Sequence, residues 1–259
     1  MPLLDLRRQA AAERVTLPAE LGLGEADRQA AIATWKGRMV NEHISARIFA
    51  GLVPQLMRAE IDADHQAAVA TMISDELRHA RLCAAAALAL GGDPVAPLPP
   101  LEPVPEHDDA SPLEAVLRNV ISVSCLSETV AVALIDAERL QAGPPVLAEL
   151  LRSILADEVQ HARFGWRLLE ELEPRLDRRL RARLGEYLVV ALAHLRAHEL
   201  RHIPARAAPS SAAEAVGVCD GNAARELLFQ TIGEVIIPGL CAHGLPARAA
   251  WERSLKIAA

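Results

Sequence analysis

The pattern D-E-x-x-H-A-R occurs twice, as Asp75-Glu76-Leu77-Arg78-His79-Ala80-Arg81 and as Asp157-Glu158-Val159-Gln160-His161-Ala162-Arg163. On a helix, residues three apart lie on one face, one turn from each other. A carboxylate and an imidazole so placed can hold a metal ion, and two such turns facing each other can hold two. Each copy has a further glutamate upstream at a similar distance: Glu42 lies 34 residues before Glu76, and Glu128 lies 30 before Glu158. Glu…Glu-x-x-His, twice over, is the ligand inventory of a carboxylate-bridged dinuclear metal site between helices. The 22 glutamates and nine histidines in 259 residues would give about one E-x-x-H pair at random, and there are three. The third, Glu199/His202, lacks the preceding Asp and the following Ala-Arg, so it reads as the chance pair.

Hydrophobic periodicity places these residues. Five long helical segments are expected. The first runs from about Glu25 to Leu56, with the seam Ile32, Trp35, Met39, Glu42, Ala46, Phe49, Val53, Leu56 in alternating steps of three and four. The second runs from about Asp62 to Leu90, stopped by Gly91-Gly92, with the seam Val69, Met72, Glu76, His79, Cys83, Ala86, Leu90. The third starts at Ser111-Pro112, a cap and first-turn pair, with Leu117, Ile121, Cys125, Glu128, Val132 and Ile135 in its seam. The fourth follows Gly143-Pro144-Pro145, with Leu147, Leu151, Ile154, Glu158, His161, Gly165 and Leu168. All six candidate ligands therefore fall on core-facing seams. Four buried carboxylates would be costly without counter-charge, and two divalent cations would supply it.

The connections predict the topology. Short turns make helices one and two, and three and four, antiparallel hairpins. Between the pairs lies Asp93–Ser111, with prolines at 94, 97, 99, 100, 103 and 105. At about 3.1 Å per residue such a segment spans roughly 60 Å. A 30-residue helix is only about 45 Å long. The linker can thus run the full length of the bundle, which gives an all-α four-helix bundle with one long crossover. A fifth helix is expected over Asp177–Ile203, ending before Pro204, then a small-residue loop (Ala207–Asp220) and shorter helices at about Asn222–Ile236 and Pro246–Ser254. The domain reading is 1–24 as an N-terminal extension, 25–172 as the metal-binding bundle, and 173–259 as additional C-terminal helices packed on it.

Composition narrows the function classes. Ala and Leu dominate and aromatics are 3%, a helical composition. Net charge is −7 with scattered Arg and no basic stripe, which argues against nucleic-acid binding. No apolar run is expected to reach membrane-spanning length, and Asp5, Arg7 and Arg8 do not read as a signal peptide. The four cysteines form no C-x-x-C, so a cysteine metal site of local spacing is excluded and a reducing cytoplasm is the simplest compartment.

On the duplicated D-E-x-x-H and its upstream glutamates, residues 26–172 resemble the ferritin-like di-iron carboxylate superfamily, which includes bacterioferritin, the small subunit of class I ribonucleotide reductase and bacterial multicomponent monooxygenases. The resemblance implies Glu42, Glu76 and His79 as ligands of the first helix pair and Glu128, Glu158 and His161 of the second, with Glu76 and Glu158 bridging. It implies that Asp157 holds His79 and Asp75 holds His161, each accepting the imidazole's other N–H. Arg81 and Arg163 either join this network or form surface pairs. Mixed carboxylate–imidazole ligands suit two iron ions, or a manganese/iron pair.

The function expected is a non-haem di-iron oxidase or oxygenase that uses O2 on a small organic substrate, with a separate electron donor and a homodimeric assembly. The alternative is iron handling or peroxide scavenging. Storage shells use shorter chains, whereas this one has about 85 residues beyond the bundle, and a rubrerythrin-type C-x-x-C module is missing. Small seam residues (Ala46, Ser124, Gly165) could leave room for a pocket lined by Met39, Met72, Cys125, Ile154 and Phe164, although ordinary core packing is the better reading of each taken singly. His194, His198 and His202 share one helix face and read as solvated, Tyr187 reads as packing, Glu234 is a candidate pocket group, and His43 points off the seam.

Overall fold

The computed structural model describes residues 2–203 and 208–257. In chain order its elements are β1 (Leu3–Asp5), α1 (Arg7–Glu13), α2 (Glu25–Arg58), α3 (Ala63–Ala89), β2 (Val95–Pro97), α4 (Pro112–Gln141), α5 (Pro145–Glu171), α6 (Arg178–His202), α7 (Ser211–Glu214), α8 (221–242) and α9 (Ala247–Ser254). The chain is all-α apart from the antiparallel pair β1–β2. Pro204 and Ala207, which bound the expected fifth helix and the loop after it, lie outside the described residues.

Local chemistry sets the helix ends. The Asp62 carboxylate caps α3 by accepting from the backbone N–H groups of Asp64 and His65. Gly91, at φ +90°, takes the left-handed conformation that closes α3, and Gly92 N–H returns to the Ala87 carbonyl. The Ser111 hydroxyl accepts from Glu114 N–H ahead of Pro112, and the Asp177 carboxylate caps α6.

Contacts along the helices give their directions. Ile32 packs at Gly92 while Glu42 reaches His79, so α2 and α3 are antiparallel. Gly165 abuts Ser124 while the Glu128 carboxylate meets Glu158, so α4 and α5 are antiparallel too. The linker leaves α3 beside Ile32, lays Val104 against Gly51, and is clamped at Pro105, whose carbonyl accepts from Gln55 and Asn119. Positions 32 and 55 of α2 are about 35 Å apart at 1.5 Å per residue. The chain thus returns along α2 before α4 begins, and α3 and α4 run the same way.

Two apolar clusters flank the middle of this array. One gathers Phe49, Leu52, Leu56, Val69, Met72, Leu117, Ile121, Phe164 and Leu168. The other gathers Ile32, Trp35, Met39, Cys83, Leu90, Leu147, Leu151 and Ile154. Along α2, α3 and α5 the candidate ligands fall between members of the two clusters, so the polar site is a layer sandwiched by apolar ones.

Several expectations are corrected. Leu52, fully buried, carries the α2 seam where Val53 was expected, and Val132 and Ile135 are only half-buried. Within the N-terminal extension, β1 pairs with the linker strand β2, and α1 packs on α3. Within α4, Ile121–Ser127 forms a π-helical segment, which no periodicity rule revealed. This 30-residue helix is also long and apolar enough, by length and composition, to cross a membrane. Of its apolar window 44% is buried within the chain, and the helix carries the buried Glu128. A second π segment, Ile232–Ile236, interrupts α8.

Candidate metal centre

The six sequence-derived candidates converge. Glu42 comes from α2, Glu76 and His79 from α3, Glu128 from α4, and Glu158 and His161 from α5. They form two overlapping groups, Glu42/Glu76/His79/Glu158 and Glu76/Glu128/Glu158/His161, and within each group the donor atoms lie within 4.8 Å of one another. Glu76 and Glu158 belong to both. Five of the six residues are buried, and Glu42 is half-buried.

The donor atoms aim at common points rather than at one another. His79 Nδ1 is 3.1 Å from Glu158 Oε1 and 3.5 Å from Glu42 Oε2. His161 Nδ1 is 3.2 Å from both Glu76 Oε1 and Glu158 Oε2. Those separations are short, yet His79 Nδ1, His161 Nδ1, Glu76 Oε2 and Glu158 Oε2 satisfy no hydrogen-bond geometry. Four orphaned polar atoms in one buried layer call for another partner.

Electrostatics point the same way. Burial, reinforced by Glu158 and Glu42, pushes the Glu76 carboxyl up to about 11. Burial and the charges of Glu158 and Glu76 push Glu128 well up. Burial opposes ionisation of Glu158 as well, but the His161 and His79 imidazoles that face it overcome burial and hold that carboxylate below its usual range. Burial disfavours charged His79, yet Glu158 and Glu42 raise it to about 11, and His161 is raised in the same way by Glu158. The Glu158 carboxylate thus faces two raised imidazoles while Glu76 and Glu128 are driven to hold protons. Divalent cations would displace those protons and supply the charge. The residues are compatible with bound metal.

Behind the histidines the expected cross-helix pairing is the pairing seen. His79 Nε2 lies 3.0 Å from Asp157 Oδ2, and His161 Nε2 lies 3.3 Å from Asp75 Oδ2. With Nε2–H donated to a carboxylate, the proton that a cation would displace is the one on Nδ1, whose lone pair would then face the site. The question left open for the arginines is answered by neither alternative alone. Arg81 approaches Glu13 of α1, and Arg163 is exposed. It is Arg78 that enters the network, donating to Asp157 and, at 3.0 Å, to Ser153 Oγ. Sequence reasoning passed over Arg78 because position 160, its counterpart in the second repeat, is Gln.

The expected pocket is not what the small residues provide. A Cβ placed on Gly165 would lie 2.5 Å from Ser124 Cβ and 2.9 Å from Cys125 Sγ, so Gly165 permits close helix contact rather than open space. Met39, Met72, Cys125, Ile154 and Phe164 are buried core. Two surface clefts, one at Leu134, Glu138 and Cys219 and one at Gln55, Arg58 and His107, include none of the six candidate ligands. Glu234 is exposed and accepts from Gln230, so it is not a pocket group. Tyr187 hydrogen-bonds Ser122 at 2.7 Å and packs against His107 and Arg118. His43 is half-buried and belongs to neither donor group.

No protein-family model matches the chain, and neither does any curated protein.

Proposed function

We propose that this chain is a ferritin-like four-helix bundle holding two iron ions, or a manganese/iron pair, and acts as an O2-dependent oxidase or monooxygenase on a small organic molecule. The observation that carries the reading is the pair of overlapping donor groups that share Glu76 and Glu158. In this reading Glu76 and Glu158 would be shared by the two ions, Glu42 and His79 would hold one, and Glu128 and His161 the other, each imidazole through Nδ1. The oxygen-rich donor set with two imidazoles suits iron or manganese better than zinc. Bound iron supplies the redox chemistry by which O2 is activated.

The chain's own residues do the rest. Asp157 and Asp75 hold the imidazole protons on Nε2 and fix the ring orientations. Phe49 presents its ring edge-on to His161, with centroids 5.4 Å apart. With Met39, Met72 and Ile154 it keeps water from the layer, which protects a reactive oxidant. A separate electron donor and a homodimer belong to the same reading.

The closed contact at Gly165 favours a second reading. Oxidation of iron itself, or peroxide removal, needs no organic-sized cavity beside the metals. Repeated aerobic additions of Fe(II) with iron counting and particle sizing separate the two. A small oligomer that stops near two irons per chain supports the oxidase. A large hollow assembly that takes up many irons, or rapid H2O2 consumption without organic substrate, supports the second reading.

A further inference from the structure

Three histidines outside the buried layer form a second constellation. His194, His198 and His202 lie four residues apart on α6, and all three are exposed, as a solvated face requires. Residues at i and i+4 are neighbours on a helix surface. The rings are correspondingly close: His194 and His198 stack with centroids 6.0 Å apart, and His198 and His202 are 4.4 Å apart. Two imidazoles at this spacing are the arrangement with which a helix holds one zinc ion in the H-E-x-x-H motif.

A separate observation concerns the tautomer. His202 Nδ1 donates to the His198 carbonyl at 2.9 Å. In neutral imidazole that leaves the lone pair on Nε2, away from the helix backbone. A ligating histidine commonly has its other N–H engaged in this way by a carbonyl or carboxylate.

We propose that His198 and His202, completed by solvent, form a surface site for a single late first-row divalent cation such as Zn2+ or Cu2+. The ligand chemistry separates this site from the buried one. Imidazole-only donors suit zinc and copper, whereas four carboxylates suit iron or manganese. One chain would then sort two classes of metal by donor type, and the inference holds whether or not the buried layer is an oxidase.

The test is a titration of the full chain with Zn2+ alone and with Cu2+ alone, read by competition with a chromophoric chelator. For Cu2+, nitrogen hyperfine coupling is read by electron paramagnetic resonance. Helix content measured by circular dichroism accompanies each variant. The expected result is one equivalent that survives Glu76→Ala and Glu158→Ala, shows nitrogen coupling, and is lost in His198→Ala and in His202→Ala. His194→Ala should leave that equivalent in place. An unchanged number of equivalents in His198→Ala and His202→Ala, or no equivalent surviving Glu76→Ala, would overturn the proposal.

Discussion

The half-site on α2 and α3 and the half-site on α4 and α5 use one ligand pattern in different surroundings. In the first, α2 is an uninterrupted helix, Glu42 is half-buried, and the residue four after the histidine is Cys83. In the second, a π-helical segment runs directly into Glu128, that glutamate is buried, and the residue four after the histidine is Gly165. The π segment explains the glycine. It sets Ser124 and Cys125 so close to α5 that a single methyl group at 165 would overlap them. The second shell of support differs as well, since Asp157 serves both His79 and Arg78 while Asp75 serves His161 alone. Repetition preserves what must converge on a metal, and everything around the donors adapts to the helix opposite.

The largest effect tests whether the halves share their bridges. Glu76→Ala or Glu158→Ala should abolish two-ion binding, because each residue belongs to both donor groups. Glu42→Ala or Glu128→Ala should cost one ion and leave the other. Metal analysis of purified variants reads the difference, and loss of a single ion from Glu76→Ala would make the halves independent.

Proton competition comes next. Glu76 and His79 are both raised to about 11 with protons as counter-charge, so each must release a proton before binding metal. Apparent affinity therefore rises with pH across 6 to 8, by about tenfold per pH unit for each proton released. Glu158 is held below its usual range and stays ionised in this window, so it adds no slope. Metal titrations at three pH values check the sign, and a pH-independent affinity would contradict the charge balance described.

Asp157→Asn and Asp75→Asn keep shape and lose the charged acceptor, and each should weaken metal binding about 10–100-fold. Asp157→Asn should be the more damaging, because it also strips Arg78 of its partner. Equal effects would mean that Arg78 contributes nothing to orientation. In packing, Gly165→Ala should destabilise by about 1–3 kcal/mol through overpacking. Cys83→Ala at the matching position should cost about 1 kcal/mol. Urea unfolding of the two variants measures the asymmetry. Arg163→Ala should stay within about 0.5 kcal/mol, as exposed positions do.

Much of this layout could be read from residue spacing. The seams of α3 and α5 are buried at every expected position, because apolar residues recurring in steps of three and four can face only one way on a helix. The six candidate ligands followed from the duplicated motif, and the crossed Asp–His pairs from the family resemblance that the motif carries. The π segment in α4 did not, since one extra residue in a helical turn leaves no mark in a seam of Leu117, Ile121, Cys125 and Glu128. Gly165 was taken for spare room because a sequence shows the size of a residue and not the distance to its neighbour. The strand pair β1–β2 was too short, at three residues each, to carry an alternation signal. Arg78 lay inside the motif at a position the second copy does not repeat.

The central claim is one dinuclear centre assembled from both halves. Anomalous X-ray scattering from crystals of the iron-loaded chain tests it most directly. The account predicts two iron peaks about 3.5–4 Å apart, both bounded by Glu76 and Glu158, one towards Glu42 and His79 and the other towards Glu128 and His161. A single peak, or iron bound away from Glu76 and Glu158, would contradict it.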